Sequence, residues 1–218
     1  MEIGVSHGGS LQMWKRYFGE NCMIYGIDID PRCKALEEEN IEIFIGSQAD
    51  RKFLNEVKKK IGQVDILIDD GGHKMKQQII SFEELFGMVK QDGVYLCEDL
   101  HTSYWLNYGG GHKRRGTFIE YSKNFIDYIN AYHSEQNSLR VDDFTKSVHS
   151  IHYYDSMLVI EKKEVKPPVA EQIGNPSFVD SPEQGARFNK LDFRIKYFLV
   201  KKINELLRWF NLPGFIWR

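Results

Sequence analysis

Cysteine is scarce in this chain of 218 residues: Cys22, Cys33 and Cys97 are odd in number and lack metal-ligand spacing. That rules out a disulfide scaffold or a zinc module and points to a reduced, cytoplasmic setting. Long apolar runs are missing as well. None approaches the ~20 residues of a membrane-spanning helix. Met1 leads directly into Glu2-Ile-Gly-Val5, so no cleavable leader is expected. Positive charge is not in excess either. The formal net charge is −2, which argues against nucleic-acid binding through a basic surface. No internal repeat or low-complexity tract interrupts the chain. The hydrophobic fraction of 42% and the chain length suffice for one domain with a full core.

Two short apolar stretches end abruptly in acid: Val64-Asp-Ile-Leu-Ile-Asp-Asp-Gly-Gly-His73 and Val94-Tyr-Leu-Cys-Glu-Asp-Leu-His101. Buried parallel strands read this way when their carboxyl ends deliver chemistry to a crevice. Asp70, Glu98 and Asp99 would then sit at neighbouring strand tips, with His73 just beyond. Three carboxylates so close repel unless a cation joins them, which predicts a hard divalent metal with a histidine beside it. His73, with an unperturbed pKa of about 6.5, suits a general base. Asp69 is read as support for the loop, and His101 as an auxiliary. His149 and His152 fall in a strand and are expected to be packed.

The first hundred residues alternate strand and helix signals, which predicts an α/β fold with right-handed crossovers and helices on both faces. Strands are expected at Met1–Val5, Met23–Ile29, Ile41–Ile45, Val64–Asp70 and Val94–Glu98. Helices are expected over Leu11–Phe18 with Ser10 as cap, Lys34–Glu39, Lys52–Lys60, Lys76–Val89 and Phe118–Tyr132. Ser147–Lys162 suits a closing antiparallel hairpin. The whole reads as a mostly parallel seven-stranded sheet, Rossmann-like, with a C-terminal helical extension.

Gly4, Gly8 and Gly9 fall in the first strand-to-helix turn, where a ligand can approach the backbone. Their spacing is not the Gly-x-Gly-x-x-Gly of dinucleotide binding, since Ser6 takes the middle glycine's place. Asp28, ending the second strand, is placed to accept from both hydroxyls of a ribose. Its rival role is helix capping, for which Asp30 is better placed. Gly46-Ser-Gln-Ala-Asp50 follows the third strand, where an adenine edge can meet polar side chains.

Residues 1 to 162 resemble the class I S-adenosylmethionine-dependent methyltransferases. The likeness is carried by Glu2-Ile-Gly-Val-Ser-His-Gly-Gly-Ser10, Gly26-Ile-Asp28, Gly46-Ser-Gln48, Asp69-Asp-Gly-Gly-His73 and Glu98-Asp-Leu-His-Thr-Ser-Tyr104. Within that class these segments look most like the metal-dependent macrolide sugar O-methyltransferases, and cephalosporin hydroxylase-like proteins share much of the pattern. The resemblance implies that Gly4, Gly8 and Ser10 line the methionine part of the cofactor, with Glu2 in the same set. Asp28 would hold the ribose and Gln48 would approach the adenine. Asp70, Glu98 and Asp99 would bind Mg2+, and His73 would be the base. The implied activity is methylation of a hydroxyl of a sugar or glycoside, on a natural product or a surface polysaccharide. Two rivals are an oxygenase of the hydroxylase-like kind, against which the Asp/Glu-rich set counts, and a catalytically silent binding protein on the same fold.

The chain starts inside the first strand, where members of this class have a preceding helix. The sheet's missing cover is therefore expected from upstream sequence, the C-terminal arm or a second subunit. Tyr104, Trp105 and Tyr108, with Gly109 to Arg115, read as a sugar-stacking lid. The domain is drawn over 1–164. Residues 165–218 form a linker and a basic amphipathic helix, Leu191 to Phe210, suited to packing on its own domain, to a homo-oligomer contact, or to peripheral contact with the inner face of an anionic membrane.

Overall fold

The structure, a computed structural model, describes residues 1–19, 21–171, 173–175, 177, 191–210, 212 and 214. The chain divides into two units, Met1–Pro168 and Val169–Arg218. Unit 1 holds strands β1 (Glu2–Ile3), β2 (Ile24–Asp28), β3 (Ile41–Ile45), β4 (Val64–Asp69), β5 (Val89–Cys97), β6 (Val148–Tyr154) and β7 (Met157–Lys162). They form one sheet in the order β3-β2-β1-β4-β5-β7-β6. The first five pair in parallel, and β7 runs antiparallel to both β5 and β6. This is the Rossmann-like, mostly parallel seven-stranded arrangement that the alternating sequence pattern predicts.

The helices of unit 1 are α1 (Gly9–Phe18), α2 (Arg51–Ile61), α3 (Met75–Leu85), α4 (Phe118–Ser122), α5 (Asn124–Ile129) and α6 (Asp143–Ser147). Strand alternation sends successive side chains to opposite faces. Ile24, Ile41 and Ile43 accordingly pack with Leu11 of α1 and Cys33, whereas Ile27 joins Leu54 of α2 and the α3 residues Ile80, Phe82 and Leu85. The second cluster is the larger. At its centre Phe82 stacks on Phe86 and Phe125 at ring separations of 4.8 and 4.7 Å and meets Tyr95 edge-on at 5.2 Å. On the other face a groove of about 510 Å³, lined by Trp14, Phe18, Ile66 and Ile68 among others, runs beside α1.

Elements differ from the sequence reading in four places. The helix expected over Lys76–Val89 ends at Leu85 in a 3-10 turn, Phe86–Met88, and Val89 opens β5 ahead of the strand expected from Val94. Ser10 does not cap α1: the cap is Gly8, in the left-handed region at φ 75°, and the Ser10 hydroxyl donates inward to Glu2. The segment after β2 is a 3-10 helix, Pro31–Leu36, because Asp30 accepts from Arg32 N and proline fixes the first position. The helix expected over Phe118–Tyr132 breaks into α4, α5 and a 3-10 turn. Histidines 149 and 152, expected to be packed, lie on strand β6 at the sheet's edge. His149 is exposed, and His152 meets Ser150 and Glu161.

Unit 2 contains α7 (Leu191–Trp209), where the amphipathic period placed it. Phe198, Leu206 and Trp209 are exposed on it. Of the linker expected between residue 165 and α7, residues 172, 176 and 178–190 lie outside the described residues.

The aromatic cluster sets the stability of the sheet's larger face. Phe82→Ala should cost about 3–5 kcal/mol, read as a lowered urea midpoint with an unchanged m-value.

Candidate functional site

Register decides where the functional groups meet. Ile27, Ile3, Asp69 and Cys97 lie level across β2, β1, β4 and β5. One residue further on, the amides of Gly4, Asp70 and Glu98 still bond across to the carbonyls of Ile27, Ile3 and Asp69, at 2.8, 3.0 and 2.9 Å. Asp28, Gly4, Asp70 and Glu98 therefore emerge in one row at the carboxyl edge. This is where parallel α/β sheets bind ligands.

Above the row lies a cavity of about 570 Å³. Of the residues expected to bind the cofactor, Gly4, Ser10, Asp28 and Gln48 line it, together with Asp70 and His73. Glu2 and Gly8 do not. Glu2 is instead nearly fully buried beneath the turn, its carboxylate accepting from the Ser10 hydroxyl and from Trp14 Nε1 at 2.6 Å. Burial raises its pKa against those two hydrogen bonds. Gly4 is required where it stands. At φ 96° a Cβ would lie 2.1 Å from the Asp70 carbonyl oxygen.

Asp28 stabilises the turn itself. Its Oδ2 accepts from Val5 N and Ser6 N, both at 2.9 Å, and its Oδ1 from Asp30 N at 2.8 Å. Partial burial opposes ionisation, but the Asp30, Ser6 and Val5 amides outweigh it and hold the carboxyl below its usual range. Gln48 is held at both ends, donating to Asp69 at 3.0 Å and accepting from Gly72 N at 2.7 Å. Asp69 is fully buried and takes a second bond from the Ser81 hydroxyl. It braces the Gly71-Gly72 turn and does not reach the cavity.

Beside the cavity, Asp70, His73 and Asp99 each offer a ligand atom within 4.8 Å of the others, a group able to hold a metal ion. His73 Nε2 stands 3.4 Å from Asp99 Oδ2 and 4.0 Å from Asp70 Oδ1. Its Nδ1 is buried without a hydrogen-bond partner. Glu98, expected with Asp70 and Asp99, is not one of the three. It faces them closely enough to share their field, since burial and then Asp70, Asp99 and Glu2 raise its pKa. Asp70 is raised too, by burial and by Asp99, with His73 opposing. Among the described residues, the convergence of acids is thus real, and its members destabilise one another's charge.

Both His73 and Asp99 adopt left-handed backbone conformations, at φ 52° and 55°. Non-glycine residues seldom do so without support, and such strain gathers at functional sites. A single buried hydroxyl supplies the support: Thr102 Oγ1 lies 2.9 Å from the His73 carbonyl and 2.7 Å from that of Asp99, placed to donate to either. Sequence reasoning passed over Thr102. Its signal was a hydroxyl three residues after an acid, a spacing that often closes a local turn. Trp14 was also missed, although it lies four residues from Ser10 and so on the same helical face.

Three comparisons bear on these residues. No family model matches the sequence. Demethylmacrocin O-methyltransferase of Streptomyces fradiae is 36% identical over 173 residues, covering 74% of this chain and 43% of the relative. The 8-demethyl-8-alpha-L-rhamnosyl tetracenomycin-C 2'-O-methyltransferase of Streptomyces olivaceus is 32% identical over 174 residues, covering 75% and 45%. Among solved structures, the MycE methyltransferase of the mycinamycin pathway, in complex with Mg, SAH and mycinamycin VI, superposes with a TM-score of 0.69 at 30% identity. That match covers 87% of this chain and 49% of the other. The chain spans less than half the length of the curated relatives it matches.

The Thr102 hydroxyl makes a direct test. Thr102→Val keeps the shape but removes the donor facing the His73 carbonyl, while the Asp99 carbonyl keeps the Thr102 amide at 3.1 Å, at a cost of about 1–3 kcal/mol. Mn2+ affinity measured by calorimetry should fall several-fold, and Thr102→Ser should restore it.

Proposed function

This chain belongs to the class I S-adenosylmethionine-dependent methyltransferases, and from that premise we propose that it methylates a hydroxyl of a sugar or glycoside in a magnesium-dependent reaction. The acceptor is a small-molecule glycoside or a surface polysaccharide, not a nucleic acid. The observation that carries the proposal is the meeting of Asp70, His73 and Asp99 at the edge of a cavity floored by a glycine turn.

The residues present suit both groups. The cavity's volume is within the range of small-molecule sites. The backbone of Gly4 is bare, Asp28 stands at the end of β2, and Gln48 and Ser47 line the far side. Bound there, S-adenosylmethionine supplies a sulfonium methyl to an attacking oxygen. Magnesium prefers oxygen donors, so Asp70 and Asp99 would hold it, with Glu98 at hand. Its charge would offset the burial and the mutual repulsion that raise Asp70 and Glu98 and would favour the deprotonated acceptor oxygen. His73 is then free to take the hydroxyl proton. Nε2 is the ring nitrogen that faces the two aspartates, while Nδ1 is buried. An oxygenase would favour two histidines and one carboxylate on one ion, whereas the group placed to share an ion here is two aspartates and one histidine.

Calorimetry with S-adenosylmethionine, with and without Mg2+, tests the reading. His73→Ala should retain cofactor affinity and lose turnover by 100-fold or more; normal turnover removes His73 as the base. Asp70→Asn should weaken metal binding at least tenfold with the cofactor still bound. Because Asp70 and Glu98 hold protons at higher pH than ordinary carboxyls, metal must displace those protons. Metal affinity should therefore fall as pH drops towards the carboxyl range, and begin to fall above the pH at which an ordinary aspartate would titrate.

The reading extends to place. Cys22, Cys33 and Cys97 are free thiols, and no described helix is long and apolar enough to cross a membrane. We propose a cytoplasmic enzyme whose α7 makes peripheral contact with an anionic inner leaflet. Arg194, Lys196, Lys201, Lys202 and Arg208 outnumber Asp192 and Glu205 on that helix, and its apolar residues Phe198, Leu206 and Trp209 are exposed. The protein should float with vesicles of phosphatidylglycerol and phosphatidylcholine, and Phe198→Glu with Leu206→Glu should abolish this. A stable dimer by light scattering, disrupted by the same pair without any flotation of the parent, would assign α7 to oligomerisation instead.

A further inference from the structure

Asp99 carries its carboxylate between two histidines. Its Oδ2 is 3.4 Å from Nε2 of His73, and its Oδ1 is 3.7 Å from Nδ1 of His101. His73 belongs to the group able to hold a metal ion, and His101 does not. The His101 contact is too long for a hydrogen bond. An imidazole bonds a carboxylate at about 2.7–2.9 Å, so a shift of about an ångström would let the ring take Oδ1. A cation shared with Asp70 needs carboxylate oxygens whose lone pairs are free of donors. Closure of His101 would put a donor on Asp99 and draw its carboxylate off the side it shares with His73.

Another partner already holds that nitrogen. Ser156 Oγ lies 2.6 Å from His101 Nδ1 and accepts from the His101 backbone amide at 3.3 Å. The Ser156 carbonyl accepts from Leu100 N at 3.0 Å. Ser156 thus engages both residues that follow Asp99. Trp105 packs against the same imidazole at 4.5 Å between ring centroids, inclined at 66°. The ring is held by a bond at one edge and by an indole beside it.

The hairpin itself gives no reason for a serine here. Strand β6 ends at Tyr154 and β7 starts at Met157, so Ser156 is the second residue of a two-residue turn. Its φ is 62°, in the left-handed region that glycine adopts at less cost. The hydroxyl goes to His101, on the loop after β5.

We propose that Ser156 is a positioning residue for the metal group: by holding the His101 ring, the tip of the β6–β7 hairpin keeps Asp99 open to a cation. The proposal rests on the magnesium-dependent reading above and deepens it by naming what holds the carboxylate available. Neither Ser156 nor His101 is in the metal group or lines the cavity above the glycine turn.

A double-mutant cycle on the full chain tests this, read as Mn2+ affinity by calorimetry with saturating S-adenosylhomocysteine. Ser156→Gly suits the positive φ and keeps the backbone carbonyl, so only the hydroxyl is lost; Mn2+ affinity should fall at least fivefold. His101→Phe keeps a ring beside Trp105 but has no nitrogen to close on Asp99. In that background the same Ser156→Gly change should alter Mn2+ affinity by less than twofold. S-adenosylhomocysteine affinity, measured without metal, should stay at the parent value in every variant. Parent-like Mn2+ binding by Ser156→Gly overturns the proposal. An equal loss in both backgrounds does so too, because Ser156 would then act through the hairpin backbone. A parallel fall in S-adenosylhomocysteine affinity also overturns it, as an effect on folding. Failure of the underlying reading looks different: the parent itself would bind no Mn2+, and the proposal would go with it.

Discussion

The level register of β2, β1, β4 and β5 is the constraint from which the rest follows. Because the inter-strand hydrogen bonds continue one residue past the strands, Asp28, Gly4, Asp70 and Glu98 leave the sheet together. A slip of one residue in any strand would turn its acid to the opposite face and bury it in an apolar layer. The core prevents that slip: Ile3, Ile27, Leu67 and Cys97 are all buried, and shifting their strands would expose them. The energy that packs the core therefore also fixes the position of the charges.

Bringing acids together at a partly buried edge has an electrostatic cost: burial first, and then the neighbouring carboxylates, raise the pKa of Asp70 and Glu98. The fold bears it because the groups differ in their surroundings. Asp69 and Asp70 are adjacent in sequence, yet strand alternation sends them opposite ways. Asp69 points into the protein, where Ser81 and Gln48 satisfy it, and Asp70 points to the mouth, where no such partner waits. Asp28 shows the third case, an acid whose backbone donors more than offset its burial. Three aspartates at one sheet edge thus have three different fates, one bracing a turn from inside, one holding a turn from outside, and one left available to a cation.

Much of this was legible in the chain. Apolar runs ending in acid announced β4 and the carboxyl end of β5 within a residue, and Tyr25-Gly-Ile-Asp28 announced β2, because burial on both faces leaves a continuous hydrophobic signature; the polar start of β5, from Val89, was not announced. The site's neighbours were less legible. Ser10 has the chemistry of a cap, but Gly8 already turns the chain, so the hydroxyl was free to bind Glu2 from within the helix. Glu98 stands beside Asp99 in sequence and was read as its equal. The left-handed turn at Asp99 redirects that side chain towards His73 and leaves Glu98 outside the group. The helical period from Phe118 to Tyr132 was real, yet Asn124 and Asn130 bond back to carbonyls of the preceding turn and interrupt it. Such outcomes depend on backbone angles that neighbouring segments impose, and no single window of sequence contains them.

Thr102 shows the same limit most clearly, and it also explains how a strained site can persist. Two unfavourable backbone conformations, at His73 and Asp99, belong to loops that leave different strands and have no covalent reason to agree. One hydroxyl, 2% exposed, lies within bonding distance of a carbonyl in each. The Asp99 carbonyl also accepts from Thr102 N within its own loop, whereas the His73 carbonyl takes its donor from the loop after β5, so the strained form at His73 depends on that neighbouring loop. His73 and Asp99 are positioned relative to each other before any ligand arrives. The geometry at the strand tips is in that sense a property of the pair of loops, and neither loop possesses it alone.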